Sequence, residues 1–168
     1  MLSVPKPLLW AWAVATAALY GVLAYGSYVT LPSLAGGVLG FDMRPLGMPV
    51  DLAAPYIQGL TSAARDYYFG TLRPLDTAFI AALVMLSSAL ARRFGGRFFW
   101  LSFGAALVYG ASDLIENRLV GEAMAVSFQT EAAAHFEAIT FATRIKFAAL
   151  ALLVASLVFQ WRRSHAQR

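Results

Sequence analysis

The chain has 168 residues, of which 60% are hydrophobic and only 13% charged, and its formal net charge is +4. Soluble domains carry about 25% charged residues, so this composition excludes an ordinary soluble domain and predicts one embedded in a membrane. The chain contains no cysteine, which excludes disulfides, thiolate catalysis and cysteine-ligated metals. Its length predicts a single integral membrane domain over residues 1–168.

Four apolar stretches are long enough, or nearly so, to cross a bilayer, which requires about 20 residues of helix. They lie at about 7–30, 75–91, 98–116 and 138–161. We therefore predict an all-α fold, a four-helix transmembrane bundle. The first stretch could also be a secretory signal that ends at Ala15-Thr16-Ala17. Its apolar run is longer than the core of a typical signal, so we expect this helix to be retained.

The charged residues predict an orientation for the four spans. All nine carboxylates fall on the side away from the termini: Asp42, Asp51, Asp66, Asp76, Asp113, Glu116, Glu122, Glu131 and Glu137. The other side carries basic residues alone: Lys6, Arg92, Arg93, Arg97, Arg162, Arg163 and Arg168. Basic residues favour the cytoplasmic side, so we predict a protein of the bacterial inner (cytoplasmic) membrane with both termini in the cytoplasm. The basic excess is thus explained by topology, and we expect no nucleic-acid partner.

The segment 31–73 is the longest one between predicted spans. Its first part is rich in proline and glycine and predicts an irregular loop. From Asp51 to Phe69 apolar residues recur at every fourth position: Leu52, Tyr56, Leu60, Ala64 and Tyr68. This spacing predicts an extracytoplasmic amphipathic helix between the first two spans, with Asp51 as its N-cap. Such a helix lies at the outer interface, covers the bundle as a lid, or simply packs against it.

Ionisable residues on three spans fall at one predicted depth. Asp76, Asp113 and Lys146 each lie 16 residues from a basic residue at the cytoplasmic edge. This distance is about 24 Å of helix, in the outer part of a hydrocarbon core about 30 Å thick. A charge facing lipid near the bilayer centre costs about 2–3 kcal/mol. We therefore expect these side chains to face the bundle interior and to pair.

Two of the three spans present their polar groups in recognisable patterns. Asp113, Glu116 and Asn117 have the spacing i, i+3, i+4 and share one helix face. Asp76 follows Pro74, which is a plausible helix start, so its carboxylate is expected near a helix N-terminus and its positive dipole.

The fourth span offers two cations that cannot both face inward. Arg144 and Lys146 are two residues apart. We expect Arg144, with Thr140 one turn earlier, to point toward Asp113 or Glu116, and Lys146 to extend toward the interface. The reverse assignment is the alternative.

This polar layer has two interpretations from sequence: a buried ion-pair network that locks helix register, or a ligand-binding or proton-handling pocket. A weaker signal is the i, i+4 pair of Glu131 and His135, which could contribute ligands to a divalent metal. We predict no metal and no cofactor, because the other ligands would have to come from elsewhere and no nucleotide-binding motif is present.

The run Asp113-Leu114-Ile115-Glu116-Asn117, preceded by Pro74-Leu75-Asp76 and followed by Thr143 and Lys146, resembles that of small bacterial four-helix membrane proteins. The resemblance implies a four-helix membrane fold and no particular activity. A looser architectural similarity is to the EXPERA group, four-helix membrane proteins with acidic residues in a membrane cavity.

The leading functional hypothesis is a multi-pass membrane protein that binds a lipid- or isoprenoid-like amphiphile in an outer-leaflet polar cavity. One alternative is a structural or assembly subunit of a larger membrane complex, with other membrane subunits as partners. Another is a lipid-modifying isomerase or hydratase, with Asp113 or Glu116 as the acid or base. No catalytic motif decides whether the protein is an enzyme.

Overall fold

The computed structural model describes residues 4–96, 98–125 and 132–166, and these are almost entirely helical, without a β-strand. The prediction of an all-helical chain is confirmed. The helices are α1 (Lys6–Tyr25), α2 (Leu31–Leu34), α3 (Val50–Gly59), α4 (Ser62–Tyr67), α5 (Arg73–Phe94), α6 (Phe99–Ala125) and α7 (Ala132–Ala166). Among these, α6 packs most extensively on α7 and next on α5, whereas α1 packs on α5.

Two of the long helical paths contain a π-helical turn that is followed, after one residue, by a proline. Residues Gly26–Thr30 join α1 to α2, and Tyr68–Leu72 join α4 to α5. Leu31 and Arg73 each donate their backbone N–H to the carbonyl five residues earlier, and the next residue is proline. A proline ring clashes with the carbonyl four residues before it in a regular α-helix, and the wider turn accommodates it. The helical path is therefore continuous through both prolines.

This continuity corrects two predictions made from sequence. Pro32 was expected to open a loop, but the helix continues to Leu34. Pro74 was expected to start a helix, but it lies inside a path that begins at Ser62. Asp76 lies in the first turn of α5, as its spacing from Pro74 predicted, but the helical path continues on its N-terminal side, so Asp76 is not at a free helix end.

Three helical stretches are long and apolar enough to cross a membrane: Lys6–Leu34, Ser62–Phe94 and Ala133–Ala166. They support a membrane protein, since 11%, 28% and 33% of their apolar windows are buried and the rest face outward. Among the described helices, α6 does not reach the same hydropathy, because its second half carries Asp113, Glu116 and Asn117. These three side chains are buried within the protein, so overall composition understates how apolar the outer face of α6 is.

The segment between α2 and α4 packs onto the helices instead of lying apart from them. Phe41 and Met48 are buried, and the Phe41 ring stacks on Phe136 of α7 with centroids 6.2 Å apart. Tyr56 packs edge-on against Phe41 from α3, with centroids 5.7 Å apart. Apolar burial of this kind is the main stabilising term in the core. Of the three roles considered from sequence, packing against the helices is the one that this geometry supports.

The predicted helix over 51–69 is interrupted. It is divided into α3 and α4 at Leu60 and Thr61, where the Thr61 hydroxyl accepts a hydrogen bond from Ala64 N at 3.1 Å and caps α4. The predicted stripe is buried at Tyr56, Leu60, Ala64 and Tyr68, but Leu52 is exposed. Asp51 is in the first turn of α3, and Pro49 is the N-cap, so the predicted Asp51 cap is wrong.

The helices α5 and α6 end later than the spans predicted for them. Between these two helices, Gly95 and Gly96 adopt positive φ values of 66° and 78°, which allow a tight turn. Residues 117–137 were expected to form a segment outside the spans. Instead α6 continues to Ala125, and α7 begins at Ala132.

At Gly26, in the π-helical turn that follows α1, the backbone lies directly against the α4–α5 path. A Cβ atom there would lie 2.6 Å from Leu72 Cδ2 and 2.8 Å from the Tyr67 hydroxyl. Gly21, by contrast, has open space where its Cβ would be. The small residues Ala13, Ala17 and Gly21 are not buried, so they do not form this contact.

We therefore expect Gly26→Ala to destabilise the protein by about 1 kcal/mol through overpacking, because the ends of the Leu72 and Tyr67 side chains would have to shift. Gly21→Ala is the matched control, and should leave stability unchanged or raise it by up to about 1 kcal/mol, since alanine favours helix. Thermal unfolding in detergent, followed by circular dichroism, measures both. Equal melting temperatures for the two variants would contradict a close contact at Gly26.

Candidate functional site

The Lys146 ammonium group lies at the centre of a buried ionic cluster. Its Nζ is 2.5 Å from Glu116 Oε2, 3.0 Å from Asp113 Oδ1 and 3.3 Å from Asp42 Oδ1. Lys146, Asp113 and Glu116 are buried, whereas the Asp42 side chain is 30% exposed. The close contact with Glu116 is an ion pair. Charges buried in this way require partners of opposite sign.

Three different parts of the chain deliver these groups. Asp113 and Glu116 share one face of α6, and Lys146 comes from the facing surface of α7. Asp42 comes from a short 3₁₀ turn, Phe41–Met43, in the segment between α2 and α3. Thr143, one turn before Lys146, donates its hydroxyl to Glu116 Oε1 at 2.5 Å. Both oxygens of Glu116 therefore have a partner on α7.

The two cations of the last helix have the reverse of their expected roles. Arg144 is exposed, and its Nε donates to the Leu46 carbonyl at 2.9 Å. Thr140 also faces the connecting segment and donates to the Met48 carbonyl at 3.0 Å. The prediction that Arg144 and Thr140 join the polar layer is wrong. The turn that contains Asp113 and Glu116 faces Thr143 and Lys146, which are three residues apart and so lie on the same side of α7.

A second polar pair extends the cluster toward α5. Asn117 donates from Nδ2 to Asp76 Oδ2 at 2.5 Å. The Tyr68 hydroxyl, from the π-helical turn, donates to the Asn117 carbonyl at 3.5 Å. Asp76, Asp113, Glu116, Asn117 and Lys146 thus form one continuous polar layer, as their depths predicted.

Three carboxylates also converge as a metal site would require. The nearest oxygens of Asp42, Asp113 and Glu116 lie within 4.8 Å of one another. The Lys146 ammonium already lies among them, so it takes the place that a cation would occupy. The weaker metal hypothesis stays a prediction, since Glu131 lies outside the described residues, and His135 Nε2 lies 2.8 Å from the Leu119 carbonyl.

The polar layer borders a partly enclosed cavity of about 360 Å³. Its ionisable and amide lining residues are Asp42, Arg73, Asp76, Asp113, Asn117 and Lys146. Its aromatic lining residues are Tyr20, Tyr28, Tyr68, Phe79, Tyr109 and Phe147. Leucines from α1, α5 and α7 complete the walls. The cavity therefore has one polar side and otherwise apolar walls, which is the arrangement of a small-molecule site.

Another buried polar cluster joins the N-terminal part of α6 to the C-terminal part of α7. Ser102 and Ser156 share a hydrogen bond of 2.7 Å, and Gln160 donates to the Ser102 hydroxyl. These three residues are uncharged and buried. Their hydrogen bonds fix the register of the two helices.

Outside the apolar helices, the side chain of Tyr56 has a raised pKa. Burial, and then the charge of Asp42, raise the pKa of Tyr56 to about 12, although Arg44 opposes this. The hydroxyl is buried without a hydrogen-bond partner among the described residues. Tyr56 is therefore a neutral core residue that supports the turn bearing Asp42.

Sequence reasoning missed Asp42, Thr143, Tyr68 and Tyr109. Asp42 was placed in a loop, and nothing in its local sequence shows that the turn folds onto α7. Tyr109 could have been found, since it lies one turn before Asp113 on the same face of α6. Thr143 could have been found in the same way, from its spacing with Lys146.

Comparison of the chain with family models, with curated proteins and with solved structures finds no match. The geometry of the site is therefore the basis for any functional conclusion.

We expect Lys146→Met to destabilise the fold by about 3–5 kcal/mol, because the buried carboxylates lose their only close cation in the described structure. Arg144→Met is the matched control and should cost about 1 kcal/mol or less, since Arg144 is exposed and makes one hydrogen bond. The fraction that remains monodisperse in detergent after heating measures both effects. If Arg144→Met were the more damaging variant, the assignment of the inward cation would be wrong.

Proposed function

We propose that the protein is a four-helix, multi-pass membrane protein that binds a lipid- or isoprenoid-like amphiphile in its cavity. The observation that carries this proposal is the combination of a polar layer and apolar walls around one space of about 360 Å³. The polar end of the ligand would meet the layer, and its tail would lie between the helices. Membrane lipids are then the immediate partners.

The size of the cavity fits this role. Small-molecule sites usually measure about 300–1,000 Å³, and this cavity lies at the lower end of that range. Three of the four long helices contribute leucines that would contact a tail: Leu23 of α1, Leu83 of α5 and Leu150 of α7. The fourth, α6, contributes the ring of Tyr109. A ligand that extends between these helices would also reach the surrounding lipid.

We further propose that α1, α5, α6 and α7 each cross the bacterial inner membrane, with both termini in the cytoplasm. The basic residues in the last turns of α5 and α7 support this orientation. In that case the polar layer and the segment containing α3 lie toward the outer leaflet and the extracytoplasmic side.

For the enzymatic alternative, Asp113 is the better candidate of the two carboxylates considered from sequence. An acid or base must reach its substrate, and Asp113 borders the cavity whereas Glu116 does not. An isomerase or hydratase would therefore act through Asp113. The assembly alternative, a subunit of a larger membrane complex, is supported by the largely unburied apolar surface of α1.

Filling the cavity tests the binding proposal. Leu150 lines the cavity, whereas Leu152, two residues later on α7, is 47% exposed. We expect native mass spectrometry of wild-type protein, extracted from its own membranes in mild detergent, to show a small-molecule adduct. Leu150→Trp should lose the adduct and Leu152→Trp should keep it, because only the first indole occupies the ligand's space.

An adduct that persists in Leu150→Trp would place the ligand elsewhere. Protein partners in fixed stoichiometry, without an adduct, would favour the assembly alternative. These variants leave the Lys146 cluster intact. Neutralising Asp113 and Glu116 instead would remove partners of Lys146 and confuse loss of binding with loss of folding.

Single cysteines test the orientation, since the natural chain has none. Leu46 is 81% exposed in the segment before α3, and His165 is exposed near the end of α7. In intact spheroplasts, we expect a membrane-impermeant maleimide to label Leu46→Cys but not His165→Cys. His165→Cys should react once the membrane is permeabilised. The reverse pattern would overturn the proposed topology.

A further inference from the structure

We propose that the cavity selects amphiphiles whose polar end is a protonated amine, and that Asp76 is the carboxylate that binds it. This inference rests on the proposed function, because it specifies the chemistry of the ligand in the same cavity. It follows from which charged groups of the polar layer are already paired and which are still available.

Lys146 is not available to a ligand. An ammonium group has three N–H donors, and carboxylate oxygens of Asp42, Asp113 and Glu116 already lie within 3.3 Å of it. An anionic head group, such as a phosphate or a carboxylate, would have to displace one of them and would then face the remaining two. The cluster therefore disfavours anionic ligands.

Asp76 has a different environment. Its Oδ2 accepts a hydrogen bond from Asn117, but among the described residues it forms no ion pair with any basic side chain. Arg73 also borders the cavity, yet its Nη1 lies against α6, where a Cβ on Gly121 would be only 3.0 Å away. Asp76 is therefore a half-buried carboxylate that borders the cavity without an ion-pair partner among the described residues.

Aromatic rings near Asp76 favour the same ligand. Phe79, one turn after Asp76, packs against Tyr20 of α1 with ring centroids 5.4 Å apart, and both rings line the cavity. Ring faces attract ammonium groups, so they add to the attraction of the carboxylate. The leucine walls beyond them suit an alkyl tail.

The size of the cavity favours a slim ligand. Its volume of about 360 Å³ lies near the lower end of the range of small-molecule sites, so a single-chain amine suits it better than a bulky head group.

Two photoreactive probes test the inference. Both have a single alkyl chain that carries a diazirine; one ends in a primary amine and the other in a primary alcohol. The protein, in phosphatidylcholine nanodiscs at neutral pH, is irradiated with each probe, and the labelled residues are located by mass spectrometry. We expect the amine to label residues that line the cavity, and the alcohol to label them weakly.

Asp76→Asn should reduce amine labelling about tenfold, the change that follows from losing one charge-assisted hydrogen bond. Asp51→Asn is the control, since Asp51 is exposed on α3 and does not border the cavity. It should leave labelling unchanged. Alcohol labelling should be equal in all three proteins, which shows that the cavity of Asp76→Asn is intact.

Equal labelling by the amine and the alcohol, or full amine labelling of Asp76→Asn, would overturn the selectivity while leaving amphiphile binding in place. If neither probe labels residues of the cavity, the proposed function is overturned as well. Nanodiscs that contain phosphatidylethanolamine identify the source of the amine. If the amine probe labels the cavity less in these nanodiscs than in phosphatidylcholine alone, the natural ligand is a lipid head group. Unchanged labelling supports a free single-chain amine.

Discussion

The ammonium group of Lys146 connects parts of the chain that are far apart in sequence. Its partners on α6 are about 30 residues away, and Asp42 is separated from it by 104 residues. Removing these charges from water is costly, and the cost is recovered only where each charge meets an opposite one at close range. The register of α6 against α7, and the position of the turn that bears Asp42, are therefore linked to one lysine side chain.

The cavity beside this cluster depends equally on two unusual helical turns. The π-helical turns at Gly26–Thr30 and Tyr68–Leu72 both border it, through Ser27 and Tyr28 on one side and Tyr68 and Leu72 on the other. Gly26 allows the two turns to touch, while the wider backbone accommodates the prolines that follow. Helices joined by this contact on one side and by the Lys146 cluster on the other leave a space between them.

Much of this arrangement could be predicted from the sequence, and the failures have physical reasons. Helix depth is set by a constant rise per residue, so the common level of Asp76, Asp113 and Lys146 could be counted from the cytoplasmic edge. Rotation about a helix axis is harder to predict. Arg144 and Lys146 were assigned opposite directions correctly but in the wrong order, because the choice depends on the neighbouring helix rather than on α7 itself.

The prolines were misjudged for a similar reason. Pro32 and Pro74 are strong signals for helix ends in isolated sequence, since each removes a hydrogen bond and crowds the preceding turn. In this fold the residue before each proline bonds five positions back, and the helix continues. Asp42 was missed because a contact over 104 residues is determined by tertiary packing, here by the burial of Phe41 against Phe136.

The two interpretations of the polar layer apply to different residues within it. Lys146, Asp113, Glu116 and Thr143 satisfy one another and are buried, which is the pattern of an ion-pair lock. Asp76 shares the same depth, but it is half-buried, borders the cavity and is bonded to a neutral amide instead of a cation. A carboxylate in an apolar setting without a cation is costly unless a partner arrives. In the function we propose, the Lys146 cluster holds the helices in register and Asp76 binds the ligand, so the two interpretations of the layer are compatible.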